Sequence, residues 1–233
     1  MTQNLTTIGF DADDTLWENE QFYKLTQERF AALLANFVEG DDLEARLLEA
    51  ERRNLGHYGF GIKGFMLSMI ETAIEVSEER VPAHVISELI AAGQEMLRHP
   101  IEILPHAREA VQEVSESHRV LLITKGDLLD QERKLAQSGL GELFDGIEIV
   151  SAKNAAVYRG IFDRQGDGAE RAMMVGNSMA SDVRPVIDAG GWGVFVPHNL
   201  TWAVEHADPP KNHGRYHEIQ DLSALSRIVT EIG

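Results

Sequence analysis

Cysteine is absent from the 233 residues of this chain. Without thiols the chain forms no disulfide, no thiolate zinc site and no cysteine nucleophile. It also lacks an apolar run approaching the ~20 residues of a membrane-spanning helix. The N-terminal segment MTQNLTTIGF has neither the basic nor the long apolar part of a secretory signal. These absences favour a reducing compartment, with the cytoplasm as the expected location, and predict no membrane partner.

Positive charge is scarce. The chain has 21 Lys and Arg residues against 38 Asp and Glu residues, which gives a formal net charge of −17. Proteins that bind nucleic acids use many cations to neutralise phosphates, so a nucleic-acid partner is not expected. An acidic, solvated surface favours solubility instead. A small anion can still bind such a protein where a metal ion and a few cations line the pocket.

The length fits one large domain, or a domain with a smaller insert, and the sequence contains no internal repeat. Short apolar segments rich in β-branched residues predict strands at Ile8–Asp11, Val120–Thr124, Ile147–Val150, Met173–Gly176 and Gly193–Val196. Helical patterns before, between and after the later strands cover His106–Ser117, Leu128–Gly139, Asn154–Arg164, Asp182–Ala189 and Asp221–Ile232. This alternation predicts an α/β fold, a Rossmann-like parallel sheet with helices on both faces.

Residues 18–104, between the first and second predicted strands, are too many for a simple crossover. Apolar residues from Phe22 to Phe37 recur at roughly helical spacing. Further helices are expected at Leu43–Asn54, at Gly64–Ser77 and from Pro82, in a first helical turn, to Arg98. The pattern predicts an all-helical domain over residues 18–104, inserted into a core domain made of residues 1–17 and 105–233.

The first predicted strand ends in the acidic sequence Asp11-Ala12-Asp13-Asp14. Ligands of open parallel sheets bind beyond the carboxyl ends of the strands, so Asp11 and Asp13 lie where chemistry is expected. One carboxylate of such a pair can attack while the other exchanges protons. The structural alternative is an Asx turn or a cap on the next helix. Three crowded acids favour the functional interpretation, because their repulsion calls for a cation.

Three later strands also end in polar residues. Thr124 and the following Lys125 could hold a phosphoryl oxygen, and Lys153 could neutralise a phosphate. Asn177 and Asp182 offer hard oxygen ligands for Mg²⁺, whereas the intervening Ser181 could be a helix N-cap. Each signal is weak when taken alone. Their order at the ends of four strands predicts one shared site.

The segments DADDTLW, LLITKG, SAK and GNSMASD resemble, in order and in strand context, the motifs of the haloacid dehalogenase superfamily. The resemblance covers residues 5–17 and about 105–197, and the helical insert occupies the position of that family's cap domain. It implies a phosphatase in which Asp11 is the nucleophile and forms an aspartyl-phosphate, while Asp13 is the general acid and base. Thr124 and Lys153 would bind the phosphoryl group.

The resemblance also implies Mg²⁺ as the cofactor. Its ligands would be Asp11, the backbone carbonyl of Asp13, Asp182 and Asn177. The family commonly has an aspartate where this chain has Asn177, which removes one negative charge from the metal site. It commonly has proline after the lysine, where this chain has Asn154.

Asp13 favours a phosphatase over a 2-haloacid dehalogenase, because dehalogenating members lack this aspartate. A phosphonatase, which relies on a cap lysine such as Lys63, and a sugar phosphomutase remain alternatives. Asn177 favours one further alternative, a weakly catalytic protein that binds phosphate esters. The expected substrate is a small phosphorylated metabolite, and the sequence leaves its leaving group and the oligomeric state open.

Selection of the leaving group is expected from the segment His57–Gly64, which mixes glycines with aromatic, imidazole and cationic groups. His57 and Lys63 are the candidate substrate ligands there, and a plain connection between helices is the structural alternative. Trp17 could line the pocket or pack between domains.

Overall fold

The computed structural model describes residues 4–38, 40–211 and 213–233. The chain divides into two compact units. The first, here called the α/β unit, contains the described residues up to Glu20 together with Ile101–Lys125 and Gln131–Gly233. The second, the helical unit, contains the described part of Gln21–Pro100 together with Gly126–Asp130.

The α/β unit is built on a parallel sheet whose described strands have the order β3-β2-β1-β4-β5-β6. Their bounds are Thr7–Phe10 for β1, Arg119–Lys125 for β2, Gly146–Val150 for β3, Ala172–Gly176 for β4, Trp192–Phe195 for β5 and Tyr216–Glu218 for β6. The predicted α/β fold with a parallel sheet is confirmed. The prediction missed β6, which lies at the edge of the sheet and is only three residues long.

Hydrophobic burial on both faces fixes the register of the central strands. Val120 and Leu122 of β2 pack in one core cluster, whereas Leu121 and Ile123 pack in another. Successive side chains of a strand point to opposite faces, so the two clusters lie on opposite sides of the sheet. All four residues of β1 are buried. A strand covered on both faces has the continuous apolar character from which it was predicted.

The helical unit contains α1, α2, α3 and α4, with bounds Glu20–Leu34, Gly40–Tyr58, Ile62–Val76 and Ala83–Met96. Its core includes Phe30, Leu47, Phe65 and Met69, drawn from the apolar positions of the first three helices. Pro82 is the N-cap residue of α4 and lies outside the first turn in which it was expected. None of the helices in the described ranges is long and apolar enough to cross a membrane.

The remaining α-helices are α5 at Ala107–Ser115, α6 at Leu128–Ser138, α7 at Ala155–Gln165, α8 at Arg184–Asp188 and α9 at Leu225–Ile232. Gly139 ends α6 with a φ of 64°, a left-handed conformation that favours glycine. A π-helical turn, Met179–Val183, precedes α8. The expectation that Ser181 caps this helix was wrong, because the Ser178 hydroxyl accepts the bond from the Ser181 N–H.

Candidate active site

Asp11 stands at the carboxyl end of β1, in the middle of the sheet. Its backbone N–H donates to the Val175 carbonyl at 2.9 Å, which fixes the residue beside β4. The residue as a whole is 7% exposed, and its Oδ1 accepts a hydrogen bond from the Lys153 ammonium. Parallel neighbours on both sides direct the adjacent strand ends to the same edge of the sheet.

Lys153 joins two of the predicted carboxylates. Its ammonium contacts Asp11 Oδ1 and lies 2.7 Å from Asp182 Oδ1, and its side chain is 1% exposed. Burial opposes the charged form, but the two carboxylates outweigh it and raise the pKa of Lys153. The structure therefore brings together Asp11, Lys153 and Asp182, which come from three different strand ends.

The second oxygen of Asp182 accepts the Ser178 N–H at 3.0 Å. The Tyr158 hydroxyl lies 3.0 Å from the Ser181 carbonyl oxygen and 3.4 Å from Asp182 Oδ1. Burial, with the charge of Asp182 adding to it, raises the pKa of Tyr158 and keeps its hydroxyl protonated as a donor. Sequence reasoning missed Tyr158. Its only signal was an aromatic residue on the helix that follows Lys153.

The charges at this site do not balance. Burial is the main factor that raises the pKa of Asp11 to about 7, and the charge of Asp182 adds to it. Lys153 opposes this shift without cancelling it. The side chains therefore provide less positive charge than the ionised form of Asp11 requires, and a bound cation would supply the difference.

Asp13 is held by three donors. Its Oδ1 accepts the Trp17 indole N–H at 2.7 Å, and its Oδ2 accepts the Gln131 amide at 2.8 Å. The Lys134 ammonium lies 3.0 Å from both oxygens. Burial acts to raise the pKa of Asp13, but Lys134 and these hydrogen bonds outweigh it and lower the pKa. Asp13 is therefore ionised at neutral pH in this conformation.

Gln131 and Lys134 were not found from the sequence. They lie three positions apart on α6, a spacing that places them on one face of a helix. Trp17, proposed from the sequence as a pocket residue, is fully buried in the core of the α/β unit. Its polar contact is to Asp13, so it supports the acid pair from the protein interior.

Thr15 connects Asp11 to Asn177. The Asn177 N–H donates to Thr15 Oγ1 at 3.0 Å, and this hydroxyl lies 3.3 Å from both Asp11 Oδ2 and Asn177 Oδ1. The single hydroxyl proton can go to either oxygen. The amide oxygen of Asn177, a hard oxygen ligand, thus lies beside the same hydroxyl that contacts Asp11. Thr124 is buried in β2, one residue before the strand ends.

Lys125 makes a different contact from the one expected. Its ammonium pairs with the Glu205 carboxylate and lies 2.7 Å from Ser181 Oγ.

In the helical unit, Lys63 lies in the first turn of α3 and binds both oxygens of Asp127, at 3.0 and 2.9 Å. His57 is exposed in the last turn of α2.

Asp14, Glu18 and His198 form a separate cluster whose ligand atoms lie within 4.8 Å of one another. Asp14 Oδ1 accepts the N–H groups of Asn19 and Glu20 at 2.8 and 2.9 Å, so it caps the start of α1. The structural alternative considered for the acidic segment therefore applies to Asp14. Its cap contacts and the 3.3 Å contact of His198 with Glu18 account for the cluster without a metal ion.

The end of β4 leaves no room for a side chain at Gly176. A Cβ there would lie 2.2 Å from Asp182 Oδ2. We expect Gly176→Ala to displace the buried Asp182 carboxylate and to lower the free energy of unfolding by about 1–3 kcal/mol, measured by urea denaturation. Gly56→Ala is the control, because a Cβ there meets nothing within 4 Å. Equal stability of the two variants would contradict this account.

Comparison with known proteins gives concordant results. A profile of haloacid dehalogenase-like hydrolases matches residues 5–190. A haloacid dehalogenase-like hydrolase of Xanthomonas campestris is 40% identical, with a TM-score of 0.89 over 99% of this chain and 92% of its own. A glyceraldehyde 3-phosphate phosphatase of Methanothermobacter thermautotrophicus is 27% identical over 97% of this chain and 100% of its own. An L-2-haloacid dehalogenase of Xanthobacter autotrophicus has a TM-score of 0.68 at 14% identity, over 98% of this chain and 100% of its own.

Proposed function

Since the chain belongs to the haloacid dehalogenase-like hydrolase family, we propose that it is a magnesium-dependent phosphatase of a small phosphorylated metabolite. The observation that carries the proposal is the buried Asp11 carboxylate at the end of β1, bound by Lys153 beside Asp182. Asp13, two residues further on, supplies a second carboxylate for proton transfer. Attack on phosphorus and proton exchange thus fall to different groups.

Asp13 also favours phosphate esters over haloacids. The fold does not distinguish a phosphatase from a dehalogenase, because an L-2-haloacid dehalogenase has a similar fold. Displacement of a halide needs no proton donor, whereas an alkoxide leaving group does. The similarity to a glyceraldehyde 3-phosphate phosphatase supports the same choice and makes phosphorylated sugars of few carbons the first substrates to test.

In the proposed reaction an Asp11 carboxylate oxygen attacks phosphorus, and the bond from phosphorus to the leaving oxygen breaks. The protonated form of Asp13, which is the minor form at neutral pH in this conformation, gives its proton to that oxygen, and the group leaves as an alcohol. A water molecule then attacks the aspartyl-phosphate and loses a proton to Asp13, which releases inorganic phosphate and regenerates Asp11. Contact with Lys134 favours the ionised form of Asp13, which suits its role as the base in this second step.

The residues present fit Mg²⁺. Asp11 and Asp182 offer carboxylates, Asn177 an amide oxygen and Asp13 a backbone carbonyl, all of them hard oxygen donors. The raised pKa of Asp11 supports a shortage of positive charge among them. When bound, Mg²⁺ would supply charge neutralisation between the Asp11 carboxylate and the phosphoryl oxygens. Lys153 and Thr124 hold the phosphoryl group in this proposal.

We further propose that residues 1–17 and 105–233 are the catalytic core and residues 18–104 the cap that selects the leaving group. The division into an α/β unit and a helical unit supports this organisation, but its bounds fall at Glu20 and Ile101 and it places Gly126–Asp130 in the helical unit. His57 and Lys63 are the proposed cap ligands for a second polar group of the substrate. A phosphonatase would use the Lys63 amine for a Schiff base, and both oxygens of Asp127 contact that amine here.

The test is inorganic phosphate release from a panel of small phosphate esters that includes glyceraldehyde 3-phosphate. We expect release with Mg²⁺ and loss of activity with a chelator, because the carboxylates of the site would lack their cation. Activity should return when Mg²⁺ is added in excess of the chelator. Release unaffected by chelator would contradict the metal requirement.

The same panel should include 2-haloacids, assayed for halide, in wild type and in Asp13→Asn. We expect Asp13→Asn to lower phosphate release by about 10²–10⁴-fold, the usual contribution of a general acid and base. Halide release that persists in this variant would identify a dehalogenase. Isomerised sugar phosphate in place of free phosphate would identify a phosphomutase, and tight ester binding without turnover a binding protein.

A further inference from the structure

Glu205 lies in the irregular segment between β5 and β6, where no catalytic group was expected. Its N–H donates to the Trp202 carbonyl at 2.9 Å, which places it in a turn. Its side chain is 14% exposed although the segment runs over the surface of the α/β unit. A carboxylate rarely becomes buried unless it is paired, so its partners explain its position.

The Glu205 carboxylate binds the end of β2 and the segment after β4. Its Oε1 accepts the Lys125 ammonium, at the end of β2. Its Oε2 accepts the Ser178 hydroxyl and, at 2.6 Å, the Ser181 hydroxyl, both after β4. Its backbone carbonyl accepts the Ala180 N–H at 3.3 Å. A single residue therefore ties the chain after β5 to the ends of β2 and β4.

Each side-chain partner of Glu205 is the sequence neighbour of a candidate site residue. Lys125 follows Thr124 in β2. Ser178 follows Asn177, and Ser181 precedes Asp182. Displacement of one of these partners would also displace the adjacent site residue, because a single peptide unit joins the two. Glu205 is thus one residue removed from the proposed phosphoryl ligand and from two proposed metal ligands.

The Glu205–Lys125 pair also sets the local charge. Burial acts to raise the pKa of Glu205, but Lys125 and the two serines outweigh it and lower the pKa, so the carboxylate is ionised at neutral pH. The Lys125 side chain is only 16% exposed. Loss of the Glu205 charge would make the surroundings of Lys125 more positive and less favourable to Mg²⁺ at the neighbouring segment, and low exposure limits screening by solvent.

We infer that Glu205 is a positioning residue for the metal site, which holds the loop after β4 and neutralises Lys125 beside it. This inference rests on the proposed function. It assigns Glu205 no contact with substrate. Lys125 is then a member of the supporting network, and loss of the Glu205 charge makes its surroundings more positive.

The test is a Mg²⁺ titration without substrate, by isothermal titration calorimetry and by the Mg²⁺-dependent rise in melting temperature. We expect Glu205→Gln to weaken Mg²⁺ binding about tenfold, because it removes the carboxylate charge that pairs with Lys125. Lys125→Met should change affinity in the opposite direction, since it removes a positive charge and leaves the negative charge of Glu205 in place. The double variant should return to within about threefold of wild type. The exposed Glu142→Gln is the matched control.

A purely structural role for Glu205 predicts that both single variants weaken binding and that the double variant binds no better than either. That pattern would overturn the inference, as would wild-type affinity in Glu205→Gln. If Glu205→Gln does not fold, Lys125→Met and the double variant still test the inference, because the inference requires Lys125→Met to bind Mg²⁺ more tightly than wild type. If the wild-type protein releases phosphate with Mg²⁺ but the variants follow the structural pattern, this inference alone is refuted. Wild-type protein that binds no Mg²⁺ would refute the proposed function as well.

Discussion

Asp11→Asn should reduce phosphate release by at least about 10⁴-fold, because it removes the attacking oxygen of the proposed reaction. The side-chain amide has the volume of the carboxylate but is a poor nucleophile. Lys153 keeps its 2.7 Å contact with Asp182 in this variant, so the buried cation is not left unpaired. We therefore expect the fold to persist, with a far-UV circular dichroism spectrum like that of wild type.

The control is Asp163→Asn, which makes the same chemical change at an exposed position of α7. It should leave phosphate release within about twofold of wild type, as surface substitutions usually do. Single-turnover experiments with a radiolabelled ester should trap labelled protein in wild type and none in Asp11→Asn. Full activity in Asp11→Asn would remove Asp11 from its proposed role, whatever the metal dependence.

The central strands could be predicted because their burial requires a locally apolar sequence. β1 and β4 are buried at every position, and a parallel sheet covered on both faces requires uninterrupted apolar runs of this kind. β6 has no such signal. It is a three-residue edge strand whose Tyr216 and His217 are only half-buried, and its pairing with β5 depends on the tertiary fold.

The strand ends likewise predicted the carboxylates of the candidate site, because parallel topology brings those ends to one edge. The supporting residues could not be predicted in this way. Lys134 reaches Asp13 across 121 positions of sequence, and Glu205 reaches Lys125 across 80. Neither residue belongs to a strand end or to a local pattern, so only the packed structure reveals what it contacts.

The buried cation of Lys153 is the other group whose removal should have a large effect. The Lys153 side chain is 1% exposed, and its partners Asp11 and Asp182 are 10% and 0% exposed. Lys153→Met retains most of the volume but leaves two carboxylates facing each other in the protein interior. Removal of one partner from a buried ionic network typically costs about 3–5 kcal/mol. We expect a loss of this order in the free energy of unfolding, together with loss of phosphate release.

Urea denaturation in the presence of a chelator measures the loss, because Mg²⁺ could otherwise replace the missing charge. Addition of Mg²⁺ should then stabilise Lys153→Met more than wild type, an effect that a simple packing defect would not produce. Combining Lys153→Met with Asp182→Asn should recover part of the lost stability, since one carboxylate charge disappears with the cation. Lys24→Met, at an exposed position of α1, controls for removal of a lysine charge. If Lys153→Met were as stable as this control, the contacts of Lys153 with Asp11 and Asp182 would contribute nothing to the fold, and the charge shortage inferred at Asp11 would lose its basis.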